Sequence, residues 1–426
     1  MTFRAPLQSP ERTSGVPELL DVLRRRIGEL GPRPFSEFMQ LALYHPRWGY
    51  YMRPRDPVGR SEESDYYTAP ARHPAFGTLL GRQLDECLAR LDRGPLEIVE
   101  VGPGSGELLL AALGELGRLR SGAEFPLATL VEGNPDRAET QRKLFLKAGF
   151  GRGVRWVTPS EWASSAGRFR GCVLANEILD AMPVHRLVCR DGALREIHVG
   201  WENGPVETLG PLSTPDLKAE LDRLGFLPRE GQELEVSLEA RDWIRSVTSK
   251  VERGYILLMD YGHLSPEIFS PRHHRGTLLA YYRHRASEDY LDRMGLQDLT
   301  AHVNFSSILD AAAEAGFTAK GLVSQGRFLM ALGILDALRP PGEEFDWNEM
   351  RDRQAVQDLF LPRGMGESHQ VAILASEGMG LDLAGLSPPE QWRAPVPGDA
   401  EGGALNTSPN VEMTGDLRNG AGSPRS

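Results

Sequence analysis

The feature that most constrains this chain is the apolar run LEIVEV (96–101), which enters a turn carrying Gly102, Gly104 and Gly106. A short apolar run bounded by turn residues reads as a buried strand. Glycine lets backbone amides come close to a ligand, and the N-terminus of a following helix favours a polar or negative group. The spacing predicts that helix over 106–118. LATLVE (127–132) reads as a second strand with a helix near 135–148, and VRWV (154–157) and GCVLAN (171–176) as a third and fourth. YILLMDYG (255–262) reads as a further strand. Strands alternating with helices specify an α/β fold, a doubly wound, Rossmann-like parallel sheet.

Helices are expected over 16–30, 35–44 and 74–91, with a polar loop, PRDPVGRSEESD, at 54–65. The segments HRLVCR, LREIHVGW and PVETL are broken by Asp191-Gly192 and Asn203-Gly204 and read as antiparallel hairpins over 184–236. Residues 276–375 return to mixed α and β character. Fifteen of the fifty residues from Glu377 to Ser426 are Gly or Pro, and Trp392 is the only aromatic there. Such a stretch cannot bury enough apolar area to order itself. The expected organisation is a flexible 1–14, an N-terminal helical cap over 15–92, and a sheet domain over 93–376. An inserted β/α substrate region occupies about 184–250, and a disordered tail covers 377–426.

The glycine turn has the pattern Glu100-Val-Gly102-Pro-Gly104-Ser-Gly106. A dinucleotide fingerprint needs glycine at 107, where this chain has Glu107. A nucleophile elbow centred on Ser105 is excluded by Pro103 and Glu107. Glu132 ends the second strand, where a carboxylate can accept two hydrogen bonds from a ribose diol. Asn176, Glu177 and Asp180 follow the fourth strand, at the edge where ligands sit in such sheets. The same residue types also suit a capped short helix. Asp260, ending YILLMDYG, and His185 are further candidates at this edge. An ordinary strand exit and a structural histidine are the competing readings. No spaced set of metal ligands appears, and no metal is expected.

The net charge of −11, from 48 basic and 59 acidic residues, disfavours nucleic acid as a partner. Three cysteines without a CxxC pair give neither a disulfide framework nor a zinc site. No run of about 18 apolar residues is present, so no membrane insertion is expected.

The segments FMQLALYHPRWGYY (38–51), YYTAP (66–70), AFGTLLG (75–81), EVGPGSGELL (100–109), NEILDAMPVHR (176–186), GTLLAYYRH (276–284) and DLTAHVNF (298–305) occur here in order. In them the chain resembles the MidA family of methyltransferases, which help assemble mitochondrial complex I and have bacterial relatives. The resemblance implies a class I methyltransferase fold, S-adenosylmethionine as cofactor, and a protein arginine as methyl acceptor. It implies that Gly102, Gly104 and Gly106 line the cofactor, with Glu100 beside them, and that Glu132 takes its ribose. Tyr67, Thr68 and Pro70 would close over it. Asn176, Glu177 and Asp180 would face the acceptor. Asp260 and His185, read from their place near the sheet edge, are candidate helpers. The implied partner is a core subunit of the respiratory NADH dehydrogenase. The implied location is the cytoplasm in a bacterium and the mitochondrial matrix in a eukaryote. A homodimer stays open, and the competing reading is a methyltransferase-like scaffold that binds a partner and catalyses nothing. The chain departs from the family's usual pattern at Ala71, Ser105, Leu279 and Asn304.

Overall fold

The computed structural model describes residues 15–53, 69–92, 94–120, 125–338 and 346–388. Two helices come first, α1 (Pro17–Leu30) and α2 (Phe35–Tyr44), and α3 (Ala75–Ala89) follows. The apolar runs then form β1 (Glu97–Val101), β2 (Leu127–Val131), β3 (Val154–Val157) and β4 (Phe169–Asn176). Between them lie α4 (Glu107–Leu119) and α5 (Pro135–Lys147). The inserted region supplies β5 (His185–Arg190), β6 (Ala193–Trp201), β7 (Pro205–Gly210) and β8 (Glu233–Val236). Helix α6 (Leu238–Lys250) leads into the long β9 (Val251–His263). After β10 (Leu279–Tyr282) and β11 (Asp298–Thr300) come α7 (Phe305–Glu314), β12 (Thr318–Ser324) and β13 (His369–Ala375).

The main sheet has the order β12-β13-β9-β4-β1-β2-β3. From β9 to β3 every pairing is parallel, while β13 runs antiparallel to both neighbours. The order reverses between β4 and β1, so the crevice outside their carboxyl ends is where a doubly wound sheet binds its ligand. Leu80, Leu84, Leu109 and Leu113 of α3 and α4 cover one face of the sheet. Ile244, Val247, Phe305 and Ile308 of α6 and α7 cover the other. Burial on both faces is why these strands read as continuous apolar runs rather than alternating ones. Helix α3 lies unusually close to α4. A Cβ on Gly77 would meet the Ala111 Cβ at 2.6 Å, and one on Gly81 would meet the Ala112 carbonyl oxygen at 2.7 Å. The two glycines of AFGTLLG are therefore a packing requirement of the helix pair.

The segment 15–92 divides in two. Helix α3 belongs to the main sheet, but Leu19, Leu23, Phe35 and Met39 of α1 and α2 pack with Val199, Leu278, Ala280 and Leu299. Amphipathic spacing shows that a helix buries a face and does not show against what. The inserted region forms an antiparallel sheet in which β6 pairs with β5, β7 and the two-residue strand Arg33–Pro34. Its first turn, with Asp191 at φ 54° and Gly192 at φ 70°, has the left-handed pair that a two-residue hairpin requires. The insertion closes at Val236, not near 250, because α6 packs on the main sheet.

Residues 377–388, expected to belong to a disordered tail, are packed on the fold. Met379, Leu383 and Leu386 are buried against the α3 face. Tyr255 Oη donates to the Gly380 carbonyl at 2.9 Å, and the Gly385 amide donates to Gln83 Oε1 at 2.9 Å. Three apolar side chains without a period are invisible against the glycine and proline content around them. Leu383 is fully buried, so Leu383→Ala should cost about 3 kcal/mol of stability. A chain ending at Ser376 should unfold well below one ending at Pro388 in a thermal melt.

Candidate active site

The cofactor side of the crevice is built from the exits of β1 and β2. Gly102, Gly104 and Gly106 have φ of 66°, 55° and 81°, the left-handed region that glycine adopts without strain. A Cβ on Gly104 would meet no atom of the described residues within 4 Å. A Cβ on Gly102 would meet Ile178 Cγ2 at 2.6 Å, which fixes the loop against the turn after β4. Glu100 is buried and its Oε2 has no partner among the described residues. Burial pushes its carboxyl up to about 8, partly offset by the Leu109 amide. Glu132 accepts from the Asn134 amide at 2.7 Å and from Gln141 Nε2 at 3.0 Å. Gln141 Nε2 also reaches the Gly104 carbonyl at 2.8 Å, while its Oε1 accepts from Trp156 Nε1 at 3.0 Å. One amide thus ties the glycine loop to the candidate ribose carboxylate. A glycine cradle, an orphaned carboxylate oxygen and a pre-oriented glutamate fit a cofactor with a cationic amino acid end and a ribose.

The second half of the site is a pocket lined among others by Tyr51, Glu177, Asp180, Tyr261, Tyr281 and Asp298. None of the described residues lining it is Arg or Lys. Glu177 sits just past β4 at φ 50°, a conformation that costs a non-glycine residue about 1 kcal/mol or more. Its Oε1 accepts from the Ala69 amide at 3.1 Å and from Asn176 Nδ2 at 3.3 Å. Burial, and next the charge of Asp180, push Glu177 up to about 8. Asp180 is raised well above the carboxylate range by burial and by Asp260 and Asp298. Its Oδ1 is buried without a partner among the described residues. Asp298 Oδ1 accepts from Tyr51 Oη at 2.7 Å. Carboxylates gathered in a largely apolar wall form a site for a positive ligand, because each raises the other's cost of ionising.

The structure brings Asn176, Glu177, Asp180 and Asp260 together and leaves His185 apart. Asp260 does not line the pocket. Its Oδ2 accepts from the amides of Ile178, Leu179 and Asp180 at 3.1, 2.8 and 3.4 Å, and its Oδ1 from the Tyr261 amide at 2.8 Å. It shapes the turn. His185 stands on the inserted sheet, with Nδ1 2.7 Å from Glu196 Oε1. Sequence proximity to the edge misplaced it, because β5 turns away from the main sheet. Pro70 lies in a short helix, Ala69–Arg72, whose first amide is the one held by Glu177. Tyr67, Thr68 and the 54–65 loop lie outside the described residues. Sequence reasoning passed over Tyr51, Asp298, Gln141 and Asn134. Asp298 was in view as the first residue of DLTAHVNF, but nothing local marks it, since its partner Tyr51 is 247 residues away. Of the departures, Leu279 lines the pocket. Asn304 caps α7, accepting from the Ser306 amide at 3.1 Å.

The profile described as S-adenosyl-L-methionine-dependent methyltransferase matches residues 79–323. Over 351 residues the chain is 31% identical to a Drosophila melanogaster protein named protein arginine methyltransferase NDUFAF7 homolog, mitochondrial, covering 77% of each. It is 29% identical to the Bos taurus protein arginine methyltransferase NDUFAF7, mitochondrial, covering 84% of this chain and 83% of that one. A Burkholderia thailandensis crystal structure with bound S-adenosyl-homocysteine superposes with a TM-score of 0.77 at 33% identity, covering 86% of this chain and 94% of that one. The doubly wound sheet expected from the sequence is thus shared with a solved structure that holds the demethylated cofactor.

The buried carboxyls give the protein a distinctive pH response. Glu177 is at about 8 when folded and near 4.5 as a free side chain. Between those values the unfolded chain ionises and the folded one does not, so stability falls as pH rises through this window. Glu177→Gln removes that loss. Its melting temperature should exceed that of wild type by several degrees at pH 8 and by little at pH 4.5, measured by scanning calorimetry without ligands.

Proposed function

This chain belongs to the family of S-adenosyl-L-methionine-dependent methyltransferases and uses that cofactor, and on that premise we propose that it methylates an arginine side chain of a partner protein. The observation that carries this reading is the acceptor pocket, where Glu177, Asp180 and Asp298 meet and where the described lining residues include no Arg or Lys. A guanidinium is the side chain that stays charged at any ordinary pH and presents a planar fork of donors to carboxylates. Its arrival would lower the carboxyls' proton affinity, because an opposite charge a few ångströms away favours the ionised form.

When bound, the cofactor supplies an electrophilic methyl group. Gly102, Gly104 and Gly106 would give it backbone contact, Glu132 its ribose contact, and Glu100 an acidic partner for its amino group. Glu177 and Asp180 would hold the acceptor guanidinium and turn one nitrogen toward the methyl group. Alignment of this kind replaces much of the barrier of a bimolecular transfer. Asn176 would keep Glu177 in place, and Asp260 would keep the whole turn. The apolar and aromatic wall of Leu279, Tyr261 and Tyr281 limits water around the transfer.

The relatives named above as protein arginine methyltransferases support arginine as acceptor. The MidA resemblance supports a core subunit of the respiratory NADH dehydrogenase as the protein that carries it. In a eukaryotic host that meeting takes place in the mitochondrial matrix, and in a bacterium in the cytoplasm. Among the described residues no helix is long and apolar enough to cross a membrane.

The test is transfer of labelled methyl into a lysate of the gene-deleted host, followed by peptide mapping. One protein labelled on arginine is the expected result. Glu177→Gln should bind the cofactor within about twofold of wild type by calorimetry and lose at least about 100-fold in turnover. A well-folded wild type that labels nothing would favour the non-catalytic scaffold.

A further inference from the structure

Methylation of a guanidinium releases one proton for every methyl group moved. The acceptor enters as a cation and leaves as a methylated cation, so the N–H bond that breaks must deliver its proton to the protein. Glu177 is the carboxylate placed to take it, and Glu177 is itself buried. Behind it, on β13, stands His369, which is 1% exposed. Its Nε2 lies 3.9 Å from Glu177 Oε1 and has no hydrogen-bond partner among the described residues. Its ring packs on Tyr261, with centroids 3.8 Å apart. Its Nδ1 lies 3.0 Å from the hydroxyl of Ser368, a residue exposed to solvent. A buried polar nitrogen left unpaired is costly and calls for a reason.

We infer that His369 is a relay that carries the released proton from Glu177 to solvent by way of Ser368, acting through Glu177 and not on the acceptor. The inference rests on the arginine methyltransferase reading above. The steps balance as follows. The guanidinium N–H bond would break as the N–CH3 bond forms at the expense of the cofactor's S–CH3 bond, whose electron pair would stay on sulfur, and the proton would bond to a Glu177 oxygen. That O–H then breaks as His369 Nε2 gains the proton, and Nδ1 gives its own proton to the Ser368 hydroxyl, which passes one to water. The ring changes tautomer and resets by exchange with solvent before the next turnover. The 3.9 Å gap closes when the acceptor fills the pocket, as hydrogen bonds of an empty site commonly do. The titratable groups facing the ring are Glu177 from the turn after β4, Tyr261 from β9 and His302 from the segment before α7. Burial holds the imidazole low, at about 4, so the ring does not keep the proton: Nδ1 releases one as Nε2 gains one.

The experiment uses the full chain with purified NADH dehydrogenase core subunit as acceptor. His369→Gln and His369→Ala are compared with wild type. Melting temperature and calorimetric cofactor affinity first establish that both variants are folded. The expected result is a fall in kcat of at least about 10-fold with KM for the acceptor unchanged within about twofold. Added imidazole should restore a part of kcat in His369→Ala, and the solvent deuterium isotope effect on kcat should rise in His369→Gln. A packing role alone would produce neither effect. Unchanged kcat in both variants, or a loss that imidazole does not restore, overturns the relay while leaving the arginine reading intact. A wild type that methylates this or any other protein on a residue other than arginine overturns both.

Discussion

The site depends on one buried carboxylate held by backbone amides. Asp260 gathers four backbone amides, three from the turn after β4 and one from its own strand. Three consecutive amides aimed at one oxygen force the chain into a tight loop at the sheet edge. That loop sets Glu177 in its left-handed conformation and points Asp180 into the pocket. It also carries Ile178, whose side chain limits how far the glycine loop can approach. The two halves of the crevice are therefore spaced by a hydrogen-bond cluster beneath them. An aspartate in this position is stabilised by donors and destabilised by burial, and geometry is what its placement provides.

The rest of the chain completes a pocket that a bare doubly wound sheet would leave open. Tyr51 arrives from the N-terminal segment and Asp298 from β11, and their hydrogen bond closes one wall. Tyr44 of α2 donates to the Ala181 carbonyl at 3.0 Å, and the Ala301 amide donates to the Asp180 carbonyl at 2.9 Å. The turn after β4 is thus held from below by β9 and from above by segments distant in sequence. The walls of this pocket are thus divided among elements that share no local pattern.

That division explains what was legible in the sequence. The apolar runs, the glycine spacing and the Asp191-Gly192 turn are local signals, and the strands and hairpin stand where those signals put them. Glu177 and Asp180 were legible because position at a strand's carboxyl end carries meaning in this topology. Asp298 and Tyr51 were not, because their significance arises only when two segments far apart in the chain meet. His185 misled because sequence distance from β4 is short while β5 belongs to another sheet. The ordered stretch 377–388 was hidden by composition, which averages over residues and cannot register three buried side chains. His369 was hidden for the same reason as Asp298, since the strand that carries it is joined to Glu177 only through the antiparallel edge of the sheet.

Asn134 shows how much can rest on one small side chain. Its oxygen accepts from the amides of Asp136 and Arg137 and so caps α5, while its nitrogen donates to the carbonyls of Tyr51 and Arg53 at 3.0 Å each. Aspartate and serine are ordinarily interchangeable with asparagine at a helix N-cap. Neither can serve here, because neither offers both an acceptor for the helix and two donors for the strand of chain beside the pocket. In a library of all substitutions, position 134 would therefore behave unlike other helix caps of this protein. Its tolerance would be set by the need to face two ways at once.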